Sequence, residues 1–336
     1  MNKRIFLQML GVAAACPAWA AQATSLRDLA GKPIRVVVPL PAGSSNDYAT
    51  RVLMTQVGKS TGLTFVVDNK PGANGVIGMM DVVRAQPDGL TLACASNSPL
   101  AANVAFVKNL PYDLQRDLTP VAAVSLTNHV LMVKNDSPIK TLADFIADAK
   151  QRPGKVSVGY STASVQTQIA TMNKQAGIDL LPIPYKGSPA TITDVIGGVL
   201  DATLTDPGNA LSQVRGNNLR ALAVSSLQRN PVTPDWPAIS ETLSGFDFPS
   251  WNAIVGPAGL PQTIAASLAE AVRTAQQQKE VIDAYAIHGT VPLIKGPDEL
   301  KGYVVQETQR WVKAAQLAGI QPESVSYTHL TLPTNR

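Results

Sequence analysis

Cysteine and histidine are scarce in this chain, which has two cysteines and three histidines among its 336 residues. The histidines His129, His288 and His329 lie far apart in the sequence, so with two cysteines they cannot form a Cys/His zinc cluster. The sequence contains no Walker A loop, no G-x-G-x-x-G fingerprint and no H-E-x-x-H motif. We therefore expect neither a metal nor a cofactor, although a site made of carboxylates alone stays open.

Neither positive nor negative charge dominates the sequence. The 28 Lys and Arg residues nearly balance 24 Asp and Glu residues, and charged residues make up only 15% of the chain. No cluster of basic residues is present, so a nucleic acid is not an expected partner. Aromatic residues are few, at 5%, but the hydrophobic content of 45% is sufficient for sizeable cores, and the length fits two domains.

Catalytic groups are few as well. A Ser/His/Asp triad would need His129, which lies in an apolar stretch and can face a cleft, or His288, which follows a helical run and suits a helix C-terminus. Asp47 and Asp206 are a conceivable acid/base pair, yet each also fits a turn or a helix cap. The sequence therefore favours a binding protein over an enzyme.

The first 20 residues have the pattern of a secretory signal peptide. Two basic residues precede an apolar run over residues 5–15, and Ala-Trp-Ala at 18–20 fits a signal peptidase site. The run is shorter than the roughly 20 residues that span a bilayer, so we expect cleavage near Ala20 and a soluble exported protein. A twin-arginine signal and a lipoprotein site at Cys16 match less well. Cleavage would leave Cys94 alone, so no disulfide is expected.

The other end of the chain is unusual. Residues 324–336 read SVSYTHLTLPTNR and have neither helical nor alternating periodicity. The string resembles translated sequencing-adapter sequence, so we interpret it as a non-native tail and leave it, with His329, out of the fold.

Between these ends the chain repeats one pattern: a short apolar run rich in β-branched residues, a turn rich in Gly, Ser and Asn, then residues at helical spacing. This alternation predicts α/β domains with mostly parallel sheets. In such sheets ligands bind beyond the carboxyl ends of the strands, where helix N-termini favour an anion. Any one of these turns also suits an ordinary helix cap, but five on one chain favour an anion site. The predicted strands are 34–38, 65–67, 90–95, 156–159, 181–184, 202–205 and 219–224.

Six strings carry a family resemblance. They are PLPAGSSNDYATR, NKPGANGVIG, LPYDLQRDLTPVA, IPYKGSPATITDVIGG, LRALAVSS and GPAGLP, in this order. Together they resemble the Bug family, the periplasmic substrate-binding components of tripartite tricarboxylate transporters, over residues 32–323.

The resemblance implies a type II periplasmic-binding-protein fold of the Venus flytrap kind, with a mixed, mostly parallel sheet in each of two lobes. Lobe 1 is expected at 24–128 plus 226–323, and lobe 2 at 129–225. The chain would cross between the lobes twice, near residues 127–130 and 224–226. Members of the family bind small carboxylates in the cleft, largely through backbone amides, hydroxyls and waters, and we expect a monomer that delivers its ligand to a membrane permease.

The family pattern also implies the ligand-binding residues. Arg51 matches a family position, and we interpret it as a member of an ion pair within lobe 1. Lys186 can contact the ligand or equally point to solvent, so it is not among the implied binding residues. The implied ligand-binding residues are Gly43, Ser44, Ser45, Asn46 and Asp47 from the first loop, Ala73, Asn74 and Gly75 from the second, Ser96 and Asn97 after the third strand, and Ser161, Thr162, Ser164, Gly187 and Asp206 from lobe 2.

The first lobe 2 loop departs from the family pattern. Many relatives have Gly-x-Gly there and a histidine on the helix that follows, whereas this chain has Thr162-Ala163-Ser164 and then Gln168. The identity of the carboxylate therefore stays open among di- and tricarboxylates, aromatic acids, acidic amino acids and nicotinate-like compounds. Two other functions also stay open: a ligand sensor for a membrane kinase, and an enzyme on the same scaffold.

Overall fold

The computed structural model describes residues 25–324, so the expected signal peptide and all but the first residue of the expected tail lie outside it. Two large β-sheets with helices packed on them make up the fold, together with a small two-stranded sheet. The strands are β1 Pro33–Val38, β2 Thr64–Asn69, β3 Thr91–Ser96, β4 Val107–Lys108, β5 Leu118–Thr127, β6 Val130–Lys134, β7 Val156–Tyr160, β8 Leu180–Pro184, β9 Ala202–Thr205, β10 Leu219–Val224, β11 Ser250–Pro257, β12 Val291–Pro292 and β13 Glu323–Ser324. The α-helices are α1 Ser45–Thr61, α2 Val76–Val83, α3 Asn103–Phe106, α4 Leu142–Gln151, α5 Ala163–Ala176, α6 Ser188–Ile196, α7 Pro207–Arg215, α8 Gln262–Gln276, α9 Lys279–Ile287 and α10 Pro297–Ala318.

The first sheet has six strands in the order β12-β5-β11-β3-β1-β2. Strands β1, β2 and β3 run parallel, whereas β11 is antiparallel to both β3 and β5. The buried residues of β1, such as Ile34 and Val36, pack with α1 and α8 into one of the cores. The helix α1 begins after Ser44, whose hydroxyl accepts the Asp47 N–H, and ends at Gly62 in the left-handed conformation.

The second sheet has five strands in the order β10-β6-β9-β7-β8. Strand β7 is parallel to β8 and β9, and β6 is antiparallel to β9 and β10. Pro182 and Pro184 lie in β8 at the edge of this sheet, where a missing N–H costs no ladder hydrogen bond. Both sheets are thus mixed. The expectation of mostly parallel pairing is correct for the βαβ units and wrong for the strands at the crossings, because a returning strand enters the sheet in the opposite direction.

The chain passes from the first sheet to the second between Thr127 and Val130, and leaves the second sheet after Val224. The two connecting segments lie side by side, since Ser225 N–H donates to the His129 carbonyl at 2.8 Å and Ser225 Oγ accepts the His129 N–H at 2.9 Å. After this return, Trp236 and Ala238 still pack against the core of the second sheet. The helix α10 contacts both β5 and α5, so it joins the two halves. No helix within residues 25–324 is long and apolar enough to cross a membrane.

Candidate functional site: a cavity between the two sheets

A cavity of about 120 Å³ lies where the carboxyl ends of strands from both sheets face each other. The loops after β1 and β3 form one wall, and the loops after β7, β8 and β9 form the other. Most of the predicted ligand-binding residues line it: Gly43, Ser44, Ser45, Asn46, Ser96, Asn97, Ser161, Thr162, Ser164, Gly187 and Asp206.

Four helices begin at this cavity. Their N-cap residues, Ser44 for α1, Thr162 for α5, Gly187 for α6 and Asp206 for α7, all line it. Each helix N-terminus carries unpaired N–H groups and about half a positive charge. Gly187 has no side chain to cap α6, but its carbonyl accepts the Ala190 N–H at 3.3 Å, and Pro189 has no N–H that needs an acceptor. The arrangement favours a negatively charged group from several directions.

Buried polar groups without a partner in the protein add to this preference. The Oδ1 of Asn46 accepts the Thr50 hydroxyl and the Oδ1 of Asn97 accepts the Ser250 hydroxyl, but the NH2 group of each asparagine has no protein partner. The same is true of the hydroxyls of Ser96 and Thr127. All four unpartnered residues line the cavity. Because an unpaired buried donor is costly, their concentration here points to a ligand rich in hydrogen-bond acceptors.

His129 lies in the first connecting segment and lines the same cavity. Burial lowers its pKa to about 4, against a smaller opposing effect of the Asp206 carboxylate. The ring is therefore neutral near pH 7, and its Nδ1 lies 3.0 Å from the Gln168 amide. With the amide NH2 as donor, the ring carries its proton on Nε2, and the neutral imidazole has one N–H left to donate.

The two halves touch directly across the cavity. Ser45 Oγ donates to Asp206 Oδ1 at 2.6 Å, and the hydroxyls of Ser98 and Ser164 are 3.2 Å apart. Asp206 also caps α7, since its carboxylate accepts the N–H and the side-chain NH2 of Asn209. Its oxygens are thus committed to protein donors, and Asp206 acts here as a connector between the halves.

Asp47 lines neither this cavity nor its neighbour. Burial alone would raise the pKa of Asp47, but hydrogen bonds from Arg51, the Gly43 N–H and Asn69 lower it. The ion pair with Arg51, at 2.9 Å, is the lobe 1 contact that the sequence predicts. Asp47 therefore holds the Gly43 loop in place instead of facing the cavity, because its position in the first turn of α1 turns the carboxylate back onto that loop.

The second predicted loop borders a larger neighbouring cavity of about 590 Å³. Ala73, Asn74 and Gly75 line this cavity and not the first one. The two cavities are adjacent, because Ser96, Ser161 and Thr162 line both. Lys186 also lines both, and among the described residues that line the first cavity it is the single Lys or Arg.

Some residues at the site were not predicted. Ser250 and Asn252 lie on one face of β11, on either side of Trp251, and Thr127 ends the neighbouring strand β5. Polar residues at alternate positions of an otherwise apolar strand are the signal that would have indicated them. Asn209, one turn into α7, carried no such signal.

The described residues do not assemble a catalytic centre of a familiar kind. His288 follows α9, as predicted, and stacks on Tyr48 at 3.7 Å between ring centroids. Residues 58–62 have the spacing G-x-S-x-G, but Ser60 lies in the last turn of α1 and donates to the Val57 carbonyl, not at a strand-to-helix elbow. Within residues 25–324, no three His, Cys, Asp or Glu side chains come together to hold a metal ion.

The comparisons with known proteins agree with this geometry. Residues 49–319 match the family described as the tripartite tricarboxylate transporter family receptor. Protein BugT of Bordetella pertussis is 33% identical over 323 residues, which cover 95% of this chain and 99% of BugT. The UPF0065 protein in the TAR-I ttuE-ttuC' intergenic region of Agrobacterium vitis is 31% identical over 325 residues, covering 95% of this chain and 92% of its own length.

Solved structures show the same two-lobed α/β fold. A protein of R. palustris with adipate superposes with a TM-score of 0.84 at 26% identity, covering 87% of this chain and 99% of its own. The periplasmic binding protein BugD has a TM-score of 0.80 at 26% identity over 87% and 99% of the two chains. MatC of Rhodopseudomonas palustris, with bound malate, has a TM-score of 0.77 at 26% identity over 84% and 99%. The predicted fold class is confirmed.

Proposed function

The chain belongs to the tripartite tricarboxylate transporter receptor family, and from that membership we propose that it binds a small organic carboxylate between its two halves and delivers it to a membrane permease. The observation that carries the ligand class is the convergence of four helix N-termini with the unpartnered donors of Asn46, Ser96, Asn97 and Thr127 on one cavity. Adipate and malate in the related structures belong to the same chemical class.

The donors present are sufficient for useful affinity without an arginine. A micromolar ligand requires about −8 kcal/mol of binding free energy. A hydrogen bond to a charged group contributes about 1.5–3 kcal/mol, so four or five give a gross gain of roughly 6–15 kcal/mol before ordering and desolvation costs. The cavity offers at least four such donors.

We propose that binding closes two lobes, 24–128 plus 226–323 and 129–225, about the connecting segments at His129 and Ser225. Trp236 and Ala238 follow the second crossing but pack against the core of the second sheet, so we expect this part of the return segment to move with lobe 2. Shifting such an equilibrium from 1% to 99% closed takes about 5.5 kcal/mol of differential affinity, which requires a ligand that contacts both lobes.

The test of the ligand class uses a matched pair of threonines. The hydroxyls of Thr127 and Thr171 are both buried without a protein partner, but Thr127 lines the cavity and Thr171 does not. Isothermal titration with organic acids, chosen by mass spectrometry of co-purified ligand, should give about tenfold weaker binding for Thr127→Val, from one lost hydrogen bond to a charged group. Thr171→Val should bind normally. Equal affinities for both variants would contradict the proposed site, and the absence of binding by any carboxylate would contradict the ligand class.

The proposal includes the protein's path in the cell. We propose that residues 1–20 direct export, that the protein works in the periplasm as a monomer, and that it releases its ligand unchanged. Co-purification with permease subunits supports transport, whereas co-purification with a membrane kinase would indicate a sensor. Recovery of altered ligand after long incubation would indicate an enzyme. Light scattering after size-exclusion chromatography tests the monomer.

A further inference from the structure

The turn that follows α9 touches the first turn of α7, although the two belong to different lobes of the proposed clamshell. His288 and Gly289 form this turn in lobe 1, and Pro207 and Gly208 begin α7 in lobe 2. None of these four residues lines either of the two cavities described above. The contact is therefore separate from the carboxylate site, and we call the four residues the clasp.

The two sides of the clasp approach each other too closely for even one added methyl group. A Cβ added to Gly208 would lie 2.6 Å from His288 Nδ1, and a Cβ added to Gly289 would lie 2.6 Å from Pro207 Cβ. Ordinary contacts between non-bonded carbon atoms are about 3.5–4.0 Å. Each lobe thus presents a glycine where the other lobe approaches, and a larger residue at either position would hold the two surfaces apart.

The lobe 1 side of the clasp is held in place by its neighbours. The His288 ring stacks on Tyr48 of α1, with 3.7 Å between the ring centroids. Gly289 is buried and has φ of 63°, a conformation that favours glycine, and its carbonyl accepts the side-chain NH2 of Asn230 at 2.7 Å. The turn is therefore fixed both to α1 and to the segment that returns from the second sheet, so it cannot easily move aside for an added side chain.

Gly208, in contrast, is not required by the conformation of its own helix. It lies within α7 and does not have a positive φ, so the backbone would accept alanine, which favours a helix more than glycine does. The helix is capped by the Asp206 side chain and not by Gly208. The feature of the structure that calls for glycine at this position is the close approach of His288.

We propose that the clasp is a docking contact of the closed state, in which α7 packs against the His288-Gly289 turn and the two glycines let the lobes close fully. This inference rests on the proposed function, because it concerns the closure that ligand binding would drive. The clasp increases the affinity for the ligand without touching it, since a contact that stabilises the binding-competent state lowers the apparent dissociation constant.

A single added methyl group tests the clasp. In Gly208→Ala the new carbon meets the His288 ring, so the affinity for malate and adipate, the acids in two of the related structures, should fall about tenfold in isothermal titration. The matched control is Gly302→Ala, because Gly302 also lies within a helix, α10, and an added Cβ there would meet no atom within 4 Å. The control should bind both acids as the wild-type protein does.

A rescue experiment separates a clash with His288 from a general effect on α7. Combining Gly208→Ala with His288→Ala removes the ring that the methyl group would meet and leaves only the Cβ of residue 288, at 3.4 Å. The double variant should therefore bind nearly as well as His288→Ala alone. If the losses of the two single variants simply add, or if Gly208→Ala binds like the wild-type protein, the clasp does not stabilise the closed state.

A second measurement needs no ligand. The hydroxyls of Ser98 and Ser164 are 3.2 Å apart across the two halves, so Ser98→Cys together with Ser164→Cys should form a disulfide when the lobes are closed. The proposed unliganded protein is mostly open, so the rate of cross-linking by a mild oxidant follows the closed population. Adding Gly208→Ala should slow cross-linking about tenfold, and adding Gly302→Ala should not change it.

The cross-linking rates distinguish failure of the clasp from failure of the proposed function. Equal rates with and without Gly208→Ala would overturn the clasp, whatever the protein binds. A wild-type protein that binds no carboxylate, but whose cross-linking is slowed by Gly208→Ala, would overturn the proposed function and leave the clasp in place.

Discussion

The hydrogen bond between Ser45 and Asp206 links the two halves directly across the cavity, and it can be tested by a double-mutant cycle. Ser45 Oγ donates to Asp206 Oδ1 at 2.6 Å. The cycle consists of Ser45→Ala, Asp206→Asn and the double variant, with the dissociation constant of the best carboxylate measured for each. Because Ser45 also lines the cavity and Asp206 also caps α7, each single variant loses more than this bond. The cycle removes those separate losses from the coupling energy.

The structure sets the expected size of that coupling. A hydrogen bond to a charged acceptor contributes about 1.5–3 kcal/mol, and this pair is only partly buried, so the lower end applies. We expect a coupling energy of about 1.5 kcal/mol, which corresponds to roughly a tenfold change in affinity. The coupling appears in ligand affinity only if binding and closure are linked, because the bond joins residues from opposite halves.

The control is Ser60→Ala, a serine on the same helix whose hydroxyl donates within α1, to the Val57 carbonyl. It should leave the dissociation constant unchanged. If the effects of Ser45→Ala and Asp206→Asn add to within about 0.3–0.5 kcal/mol, the bond does not contribute to the bound state. The reasoning about closure would then be wrong.

Three further predictions concern single residues. Gly43 has φ of 80°, and an added Cβ there would meet only open space. Gly43→Val should therefore abolish ligand binding through backbone strain while the protein stays folded. Gly43→Asn should retain more affinity in the same titration, because asparagine tolerates this φ. The pKa of His129, about 4, is below its unfolded value near 6.5, so the unfolded state takes up the proton first as pH falls. Urea denaturation should show that the free energy of unfolding decreases from pH 6.5 towards 4, by at most about 1.4 kcal/mol per pH unit. The decrease should be less steep in the His129→Asn variant. Equal pH slopes in the wild-type protein and the variant would contradict this assignment. Burial raises the pKa of the Cys94 thiol to about 12, so a thiol reagent should label it only after denaturation. Rapid labelling of the folded protein would show that the core around Cys94 opens.

Seven strands of the fold, six of them in parallel pairs, were predictable because their signals are local. All seven predicted strands are present, with ends within two residues of the prediction. Strands β5, β6 and β11 were not assigned, although all three are buried over most of their length. Strands that are buried on both faces lack the regular alternation of exposed polar and buried apolar residues that distinguishes a strand from a helix. Their antiparallel partners are set by the return of the chain from the other half, which no local pattern records.

The residues of the candidate site likewise divide into those with a local sequence signal and those that only the pairing of distant strands brings to the cavity. Ser44, Thr162 and Asp206 were predictable because a residue that caps a helix after a strand stands at the ligand-binding edge of an α/β sheet. Thr127 and Ser250 reach the cavity only because β5 and β11 pair with each other in one register, which brings these two residues opposite each other. Asp47 shows the reverse case: a residue in the right loop whose carboxylate is used by its own neighbours.

The unpartnered donors also explain how a site with few charges can be selective. A molecule that fills the cavity without supplying acceptors displaces water from Asn46, Ser96, Asn97 and Thr127 and leaves them unpaired, at about 1–3 kcal/mol each. Four such groups sum to roughly 4–12 kcal/mol, a range that includes the 5.5 kcal/mol needed to move a two-state equilibrium from almost open to almost closed. Closure around an acceptor-rich carboxylate avoids this cost, and closure around an apolar or cationic molecule of the same size does not. The proposed selectivity for acids therefore follows from these four groups, whereas the proposed closure also needs contacts between the ligand and lobe 2, because all four groups lie within residues 24–128.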